Sequence, residues 1–137
     1  MNVVLDTCVM VSALRSSTGA SYRVFKYVQE GRLEAGVSNP LMLEYEEVLC
    51  RAGMVNLSLT EVIDFLDAFS GLAKWVDINY RLRPLADDPC DDLVVECAYN
   101  FNAVLVTHNL RDFASAADTV VVVPPGALLR YMETRND

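Results

Sequence analysis

Residues 2–6 read NVVLD, an apolar run that ends in an acid close to the start of the chain. Two later runs are also apolar at consecutive positions, AVLVT at 103–107 and TVVVV at 119–123. A strand that is apolar on both faces has to be covered on both faces, which is typical of parallel sheets flanked by helices. The three runs therefore predict strands of a buried parallel sheet.

The segments between these runs have the apolar spacing of helices, with start and stop signals at their ends. Ser38-Asn39-Pro40, for example, supplies a capping side chain followed by a proline suited to the first turn. We predict helices at 9–14, 20–29, 40–51, 58–70, 89–100 and 127–133, further strands at 33–38 and 74–78, and a loop at 79–87. This alternation predicts a three-layer α/β/α sandwich with a central parallel sheet, and residues 1–137 are expected to form a single domain.

The composition excludes several classes of protein. Of the 137 residues, 53% are hydrophobic, so the chain is neither disordered nor of low complexity. No apolar stretch approaches the ~20 residues that cross a bilayer, and no basic leader precedes the first strand, so we expect a cytoplasmic protein without a membrane partner. The cysteines lack the paired spacing of a zinc finger and are expected to be free thiols: Cys8, Cys50, Cys90 and Cys97.

The charge of the chain limits how it can bind nucleic acid. A formal net charge of −8 argues against loose electrostatic binding, for which lysine and arginine supply the affinity. Any role on nucleic acid therefore needs metal ions or a local group of arginines.

Two acids are expected at the edge of the sheet where parallel sheets bind ligands, beyond the carboxyl ends of the strands. Asp6 follows the first strand, where it can also serve as the cap of the next helix. Glu44 shares an apolar helical stripe with Leu41 and Val48, so it points inward, or reaches solvent at the rim of the core.

Two more acids are expected near the same edge. Asp91 lies on the apolar stripe of its helix and is predicted to face inward, whereas Asp92 is predicted to face outward; the helix dipole is an alternative explanation for acids at this position. After the strand that ends at Thr107 come Asn109 and Asp112. The single histidine, His108, is interpreted as a loop residue, since no second histidine or paired cysteine completes a zinc site.

If these four acids converge, their mutual repulsion raises their pKa values unless a cation lies among them. Sites made only of oxygen ligands suit Mg²⁺ or Mn²⁺. The predicted site is therefore a magnesium or manganese centre formed by Asp6, Glu44, Asp91 and Asp112. The hydroxyls of Thr7 and Thr107 are expected to orient the acids or metal-bound waters.

The sequence resembles the PIN domain (PilT N-terminus) family of metal-dependent nucleases, in particular the prokaryotic toxin components of toxin–antitoxin pairs. The resemblance is carried by VVLDTCVMVSAL at 3–14, SNPLMLEYEEVL at 38–49, DPCDDLVVECA at 88–98 and VLVTHNLRDF at 104–113. It implies that Asp6, Glu44 and Asp91 are metal ligands, with Asp112 as the fourth and Asn109 as a neutral helper. It also implies a ribonuclease with an RNA substrate, an antitoxin partner and a homodimer.

RNA contacts would come from the few cations expected near this edge, although ordinary surface charge explains them equally well: Arg15, Arg23, Lys26, Arg81 and Arg83. The sequence departs from the family at Cys8, where relatives commonly have asparagine, and at Asn109, where many have aspartate. These departures favour the alternative of a PIN-like scaffold that binds RNA or a protein without cutting.

Two other enzyme or regulatory classes share features of this pattern. A haloacid-dehalogenase-like phosphatase needs a second aspartate where Cys8 stands. A phosphoacceptor receiver domain needs a lysine after a late strand, and the chain has only Lys26 and Lys74.

Overall fold

A computed structural model describes residues 1–82 and 88–135 of the chain. Residues 83–87, which hold most of the predicted loop and the candidate RNA contact Arg83, lie outside the described residues. In the part that is described, no helix is long and apolar enough to cross a membrane.

In the part of the chain that the structure describes, the sheet has five strands; numbered along the chain, they lie in the order β3-β2-β1-β4-β5. All neighbouring strands are parallel, with Val3 of β1 beside Ala35 of β2 on one side and Val104 of β4 on the other. The strands are β1 (Asn2–Leu5), β2 (Glu34–Val37), β3 (Lys74–Trp75), β4 (Val104–Val106) and β5 (Val122–Val123). The strand that opens the chain is therefore the central one, and the predicted parallel sheet is confirmed.

Within the described residues, six α-helices flank the sheet, which confirms the predicted α/β/α architecture. They are α1 (Thr7–Arg15), α2 (Ala20–Gln29), α3 (Asn39–Leu49), α4 (Leu59–Leu72), α5 (Pro89–Phe101) and α6 (Pro125–Thr134). Helix α5 packs on β1, β2 and β4, whereas α1 packs against α2 and α3. The sequence analysis missed one element, a 3₁₀ helix at Leu110–Ala116 between β4 and β5.

The helix starts follow from their capping residues. Ser38 accepts a hydrogen bond from the Leu41 amide and thereby starts α3, as its sequence predicts. Ser58 and Glu61 form a reciprocal capping box that starts α4. Because both signals are local, the two starts could be placed from sequence to within one residue.

The core holds the end of β1 in place. Val3, Val4 and Leu5 are at most 1% exposed, and the buried Tyr45 of α3 donates its hydroxyl hydrogen to the carbonyl of Leu5. This bond ties α3 to the last residue of the central strand. The residue that follows Leu5 is the first of the candidate site.

Candidate active site and metal centre

A cleft of about 810 Å³ lies at the carboxyl ends of β1 and β4. All four predicted acids line it, and each comes from a different part of the chain. Asp6 follows β1, Glu44 is on α3, Asp91 is in the first turn of α5, and Asp112 is on the 3₁₀ helix. The fold therefore brings these residues to one cleft, as their positions in the sequence predict.

Asp6 is the most constrained of the four acids. It is 6% exposed and caps α1, since its Oδ1 accepts a hydrogen bond from the Thr7 amide at 2.8 Å. Its Oδ2 accepts hydrogen bonds from the Thr107 hydroxyl at 2.7 Å and from the Cys8 thiol at 3.2 Å. Asp6 is therefore the cap of α1 and also lines the cleft, so the two interpretations of this residue do not exclude each other.

The residues around Asp6 form a small hydrogen-bonded network. Thr107 is fully buried, and its Oγ1 also accepts a hydrogen bond from the Asn109 amide at 3.0 Å. The predicted supporting roles of Thr107 and Asn109 rest on this network, whereas Thr7 contributes its amide to Asp6 and lines the cleft. Burial, followed by the charge of Asp6, raises the pKa of the Cys8 thiol to about 11. The thiol is thus a protonated donor at neutral pH.

Asp91 is partly exposed and faces the cleft. Burial is the main cause that raises its pKa to about 7, followed by the charges of Asp6, Asp88, Asp112 and then Asp92. A carboxyl group whose pKa is raised by four other carboxyl groups lies in a crowd of acids. Such a group stabilises a bound cation or a proton.

The prediction that Asp92 faces outward is wrong. Asp92 is 3% exposed, and Glu96, one turn later, is 2% exposed. The carboxylate of Glu96 accepts a hydrogen bond from the Leu82 amide at 2.9 Å. Helix α5 is therefore covered on two sides, by the sheet and by the segment after β3. The side that carries Asp92 and Glu96 consequently does not face solvent.

Glu44 is half-buried, while Glu46 and Glu47 on the same helix are exposed, which confirms the inward position of Glu44. Its carboxylate lies close to Cys90, another residue lining the cleft. Burial and then the charge of Glu44 raise the pKa of the Cys90 thiol.

The donor set of the cleft fits a hard divalent cation. Its acids supply only oxygen ligands, which Mg²⁺ and Mn²⁺ prefer. Within residues 1–82 and 88–135, no group of three or more His, Cys, Asp or Glu side chains is arranged closely enough to hold an ion directly. Mg²⁺ commonly binds through one or two carboxylates and keeps several waters, so a wide cleft with spaced acids suits it.

The predicted RNA contacts are spread over the molecule. Arg15 lines the cleft. Arg23 is paired with Glu133 at 2.6 Å, and Lys26 lies 6.0 Å from the ring centre of Tyr22 on the same helix. Neither is among the residues that line the cleft.

Arg81 is also away from the cleft, since it lines a small pocket together with Ser38 and Glu96. His108 and Arg111, which were not predicted as RNA contacts, do line the cleft. Both lie between the candidate site residues Thr107 and Asp112, and that position was a signal that could have found them.

Comparisons with known proteins identify the fold and the family of this chain. The PIN domain family model matches residues 2–111. No curated protein matches the sequence.

Among solved structures, VapBC2 from Rickettsia felis bound to a DNA fragment from their promoter has 19% identity and a TM-score of 0.66, with 90% of this chain and 98% of that chain covered. DNA-bound VapBC from Salmonella typhimurium has 14% identity and a TM-score of 0.66, with 91% and 98% covered. VapBC-1 from nontypeable Haemophilus influenzae has 14% identity and a TM-score of 0.63, with 92% and 99% covered. At these identities the structures establish a shared fold, and the family match shows that the chain belongs to the PIN domain family.

Proposed function

We propose that this PIN domain is a divalent-metal-dependent endoribonuclease and the toxin component of a toxin–antitoxin pair. The observation that carries the proposal is the cleft that all four acids line, in which burial and then the charges of neighbouring acids raise the pKa of Asp91 to about 7. Like charges gathered in an open cleft destabilise the protein unless something positive joins them. A metal ion bound among these carboxylates explains why they lie together at the ligand-binding edge of a PIN domain.

In this proposal Asp6, Glu44, Asp91 and Asp112 hold Mg²⁺ or Mn²⁺, one or two of them directly and the others through waters that the ion keeps. A bound ion of this kind lowers the pKa of a coordinated water and polarises a phosphoryl oxygen, which is the chemistry that phosphodiester hydrolysis requires. Asp6 is held for this task by the Thr7 amide, the Thr107 hydroxyl and the Cys8 thiol. The chain needs no side-chain nucleophile, because water attacks the phosphorus.

The partner assignments rest on the structural neighbours. The VapBC structures belong to toxin–antitoxin systems, so an antitoxin protein encoded with this chain is the expected partner. RNA as the substrate and a homodimer as the assembly are what the resemblance to the PIN family implies, and the cytoplasm is the location expected from the sequence.

Cleavage of a labelled RNA in Mn²⁺ tests the proposal, with Asp91→Asn as the variant. The substitution keeps the shape of the side chain and removes one ligand charge, so we expect a loss of activity on the order of 100-fold or more. Asp118→Asn is the matched control, since Asp118 is exposed and does not line the cleft. Equal activity of wild type and Asp91→Asn would refute the assigned site.

The alternative is a PIN-like scaffold that binds RNA or a protein without cutting. Two observations favour it: Cys8 stands where relatives commonly have asparagine, and the described acids are not gathered tightly around one point. Binding of RNA by the wild type with no cleavage in either Mg²⁺ or Mn²⁺ would support this alternative.

A further inference from the structure

The acidic cleft is also lined by two guanidinium side chains and one imidazole, those of Arg15, Arg111 and His108. The ion pairs among residues 1–82 and 88–135 join Arg23 to Glu133 and Arg51 to Glu47. Within that part of the chain, Arg15 and Arg111 therefore have no carboxylate partner, although the chain has 19 acidic and 11 basic residues.

Two of the three side chains are already oriented by hydrogen bonds. The Nε2 atom of His108 lies 2.8 Å from the hydroxyl of Ser21, which is buried in α2. The Nε–H of Arg15 donates to the carbonyl of Met54 at 2.8 Å. A side chain that is held in place before binding loses less conformational entropy when a ligand arrives.

We infer that His108, held by Ser21, and Arg111 bind phosphates of the RNA strand next to the candidate metal ligands. This inference rests on the proposed ribonuclease function and identifies the part of the cleft that receives the substrate backbone. The acids that hold a metal ion also repel the phosphates around the cleaved bond. A guanidinium and an imidazole in the same cleft offset that repulsion, because both donate hydrogen bonds to phosphate oxygens.

The contrasting explanation is that the bond between Ser21 and His108 only links α2 to the loop after β4. The two explanations differ in what they predict for binding. A purely structural link affects the melting temperature and leaves RNA affinity unchanged, whereas the loss of a phosphate contact weakens RNA affinity.

The experiment measures the binding of a fluorescent single-stranded RNA of roughly 12 nucleotides by anisotropy, with Ca²⁺ in place of Mn²⁺. Titrations at several salt concentrations between about 50 and 200 mM give the number of phosphate contacts from the slope of log affinity against log salt. The variants are Arg111→Gln, His108→Ala, Ser21→Ala and the double variant of Ser21 and His108. Arg130→Gln is the matched control, because Arg130 is exposed on α6 and does not line the cleft.

We expect Arg111→Gln to weaken binding about three- to tenfold and to reduce the salt slope by about 0.7, the value of one phosphate contact on a single strand. We expect about threefold weaker binding for His108→Ala and a smaller loss for Ser21→Ala. Adding Ser21→Ala to His108→Ala should weaken binding no further, since Ser21 acts through His108. The control should bind as the wild type does.

Wild-type affinity in both His108→Ala and Arg111→Gln would overturn the inference, as would a wild type that does not bind the RNA. If these variants bind as the wild type does while Asp91→Asn loses cleavage, the inference fails and the proposed function stands. If they bind more weakly but no metal supports cleavage by the wild type, the inference stands and the ribonuclease proposal fails. Should His108→Ala not fold, the salt slope of Arg111→Gln decides the outcome.

Discussion

Replacing Asp91 by asparagine should raise the melting temperature of the metal-free protein above pH 7. The pKa of Asp91 is raised from 3.8 to about 7, so the folded state resists its ionisation. Without solvent screening, this difference between the unfolded and folded pKa values corresponds to a free energy of about 4 kcal/mol. Asp91 is partly exposed, and solvent screening reduces the figure to roughly 1–2 kcal/mol.

The pH dependence of this effect has a definite sign. Above pH 7 the carboxyl group is ionised in both states, and the folded state bears the whole penalty. As the pH falls from about 7 toward 4, the folded protein takes up a proton that the unfolded chain does not yet hold, so the penalty declines. The advantage of Asp91→Asn should therefore be full at pH 8 and small near pH 4.

The expected change in melting temperature follows from the size of the chain. With an unfolding entropy of about 2.1 cal/mol/K per residue, 137 residues give roughly 0.3 kcal/mol/K. A change of about 1–2 kcal/mol then corresponds to roughly 3–7 °C. Mn²⁺ at about 100 times its Kd should stabilise the wild type by about 2.7 kcal/mol, whereas the variant should gain much less.

Thermal unfolding followed by circular dichroism from pH 4 to pH 8, with EDTA or with Mn²⁺, measures both effects. Asp118→Asn, at an exposed site outside the cleft, controls for the change in net charge. A variant that melts below the wild type at every pH, with and without Mn²⁺, would refute the reasoning, because Asp91 would then stabilise the fold directly.

Three further predictions concern the scaffold, and urea denaturation checks each of them. Tyr45→Phe should cost about 1–3 kcal/mol, since the buried carbonyl of Leu5 loses its donor; an unchanged midpoint would contradict this. Gly36→Ala should cost about 1–3 kcal/mol, since its Cβ would lie 2.4 Å from the Phe101 ring; a stabilised variant would show that the ring can move. Asn102→Ala should cost about 1 kcal/mol and Asn102→Gly much less, because this residue has a φ of 54°; equal effects would refute that explanation.

The strands and the four acids of the cleft could be predicted because they follow from two general rules. Consecutive apolar residues mark a strand buried on both faces, and parallel strands bring their carboxyl ends to one edge. Asp6 and Asp112 follow β1 and β4, so the edge they share is determined once those strands are found. Their convergence with Asp91 did not depend on any contact that only a structure reveals.

The burial of Asp92 could not be predicted in the same way. The helical stripe argument assumes that a helix has one covered face. Here the segment after β3 covers a second face of α5, because the Leu82 amide donates a hydrogen bond to Glu96 and the Asn79 and Tyr80 amides donate to Asn100. Such contacts join residues from different elements, and no periodicity within the helix reports them.

The bond between Ser21 and His108 has a similar origin, since the two residues lie 87 positions apart. A lone histidine after a strand favoured the interpretation of His108 as a loop residue, and His108 is exposed. Its place in the cleft depends on how α2 packs near the end of β4, which the sequence pattern does not contain.

The hydrogen bonds that Asp6 accepts determine which substitution can separate an effect on activity from an effect on folding. An asparagine at this position would present an amide NH₂ where Oδ2 now accepts from Thr107 and Cys8. The hydroxyl hydrogen of Thr107, at 0% exposure, would lose its acceptor, at a cost of about 1–3 kcal/mol. An inactive Asp6→Asn protein would thus report a mixture of lost charge and disturbed architecture, whereas the partly exposed Asp91 lines the same cleft and is the better position at which to test activity by itself.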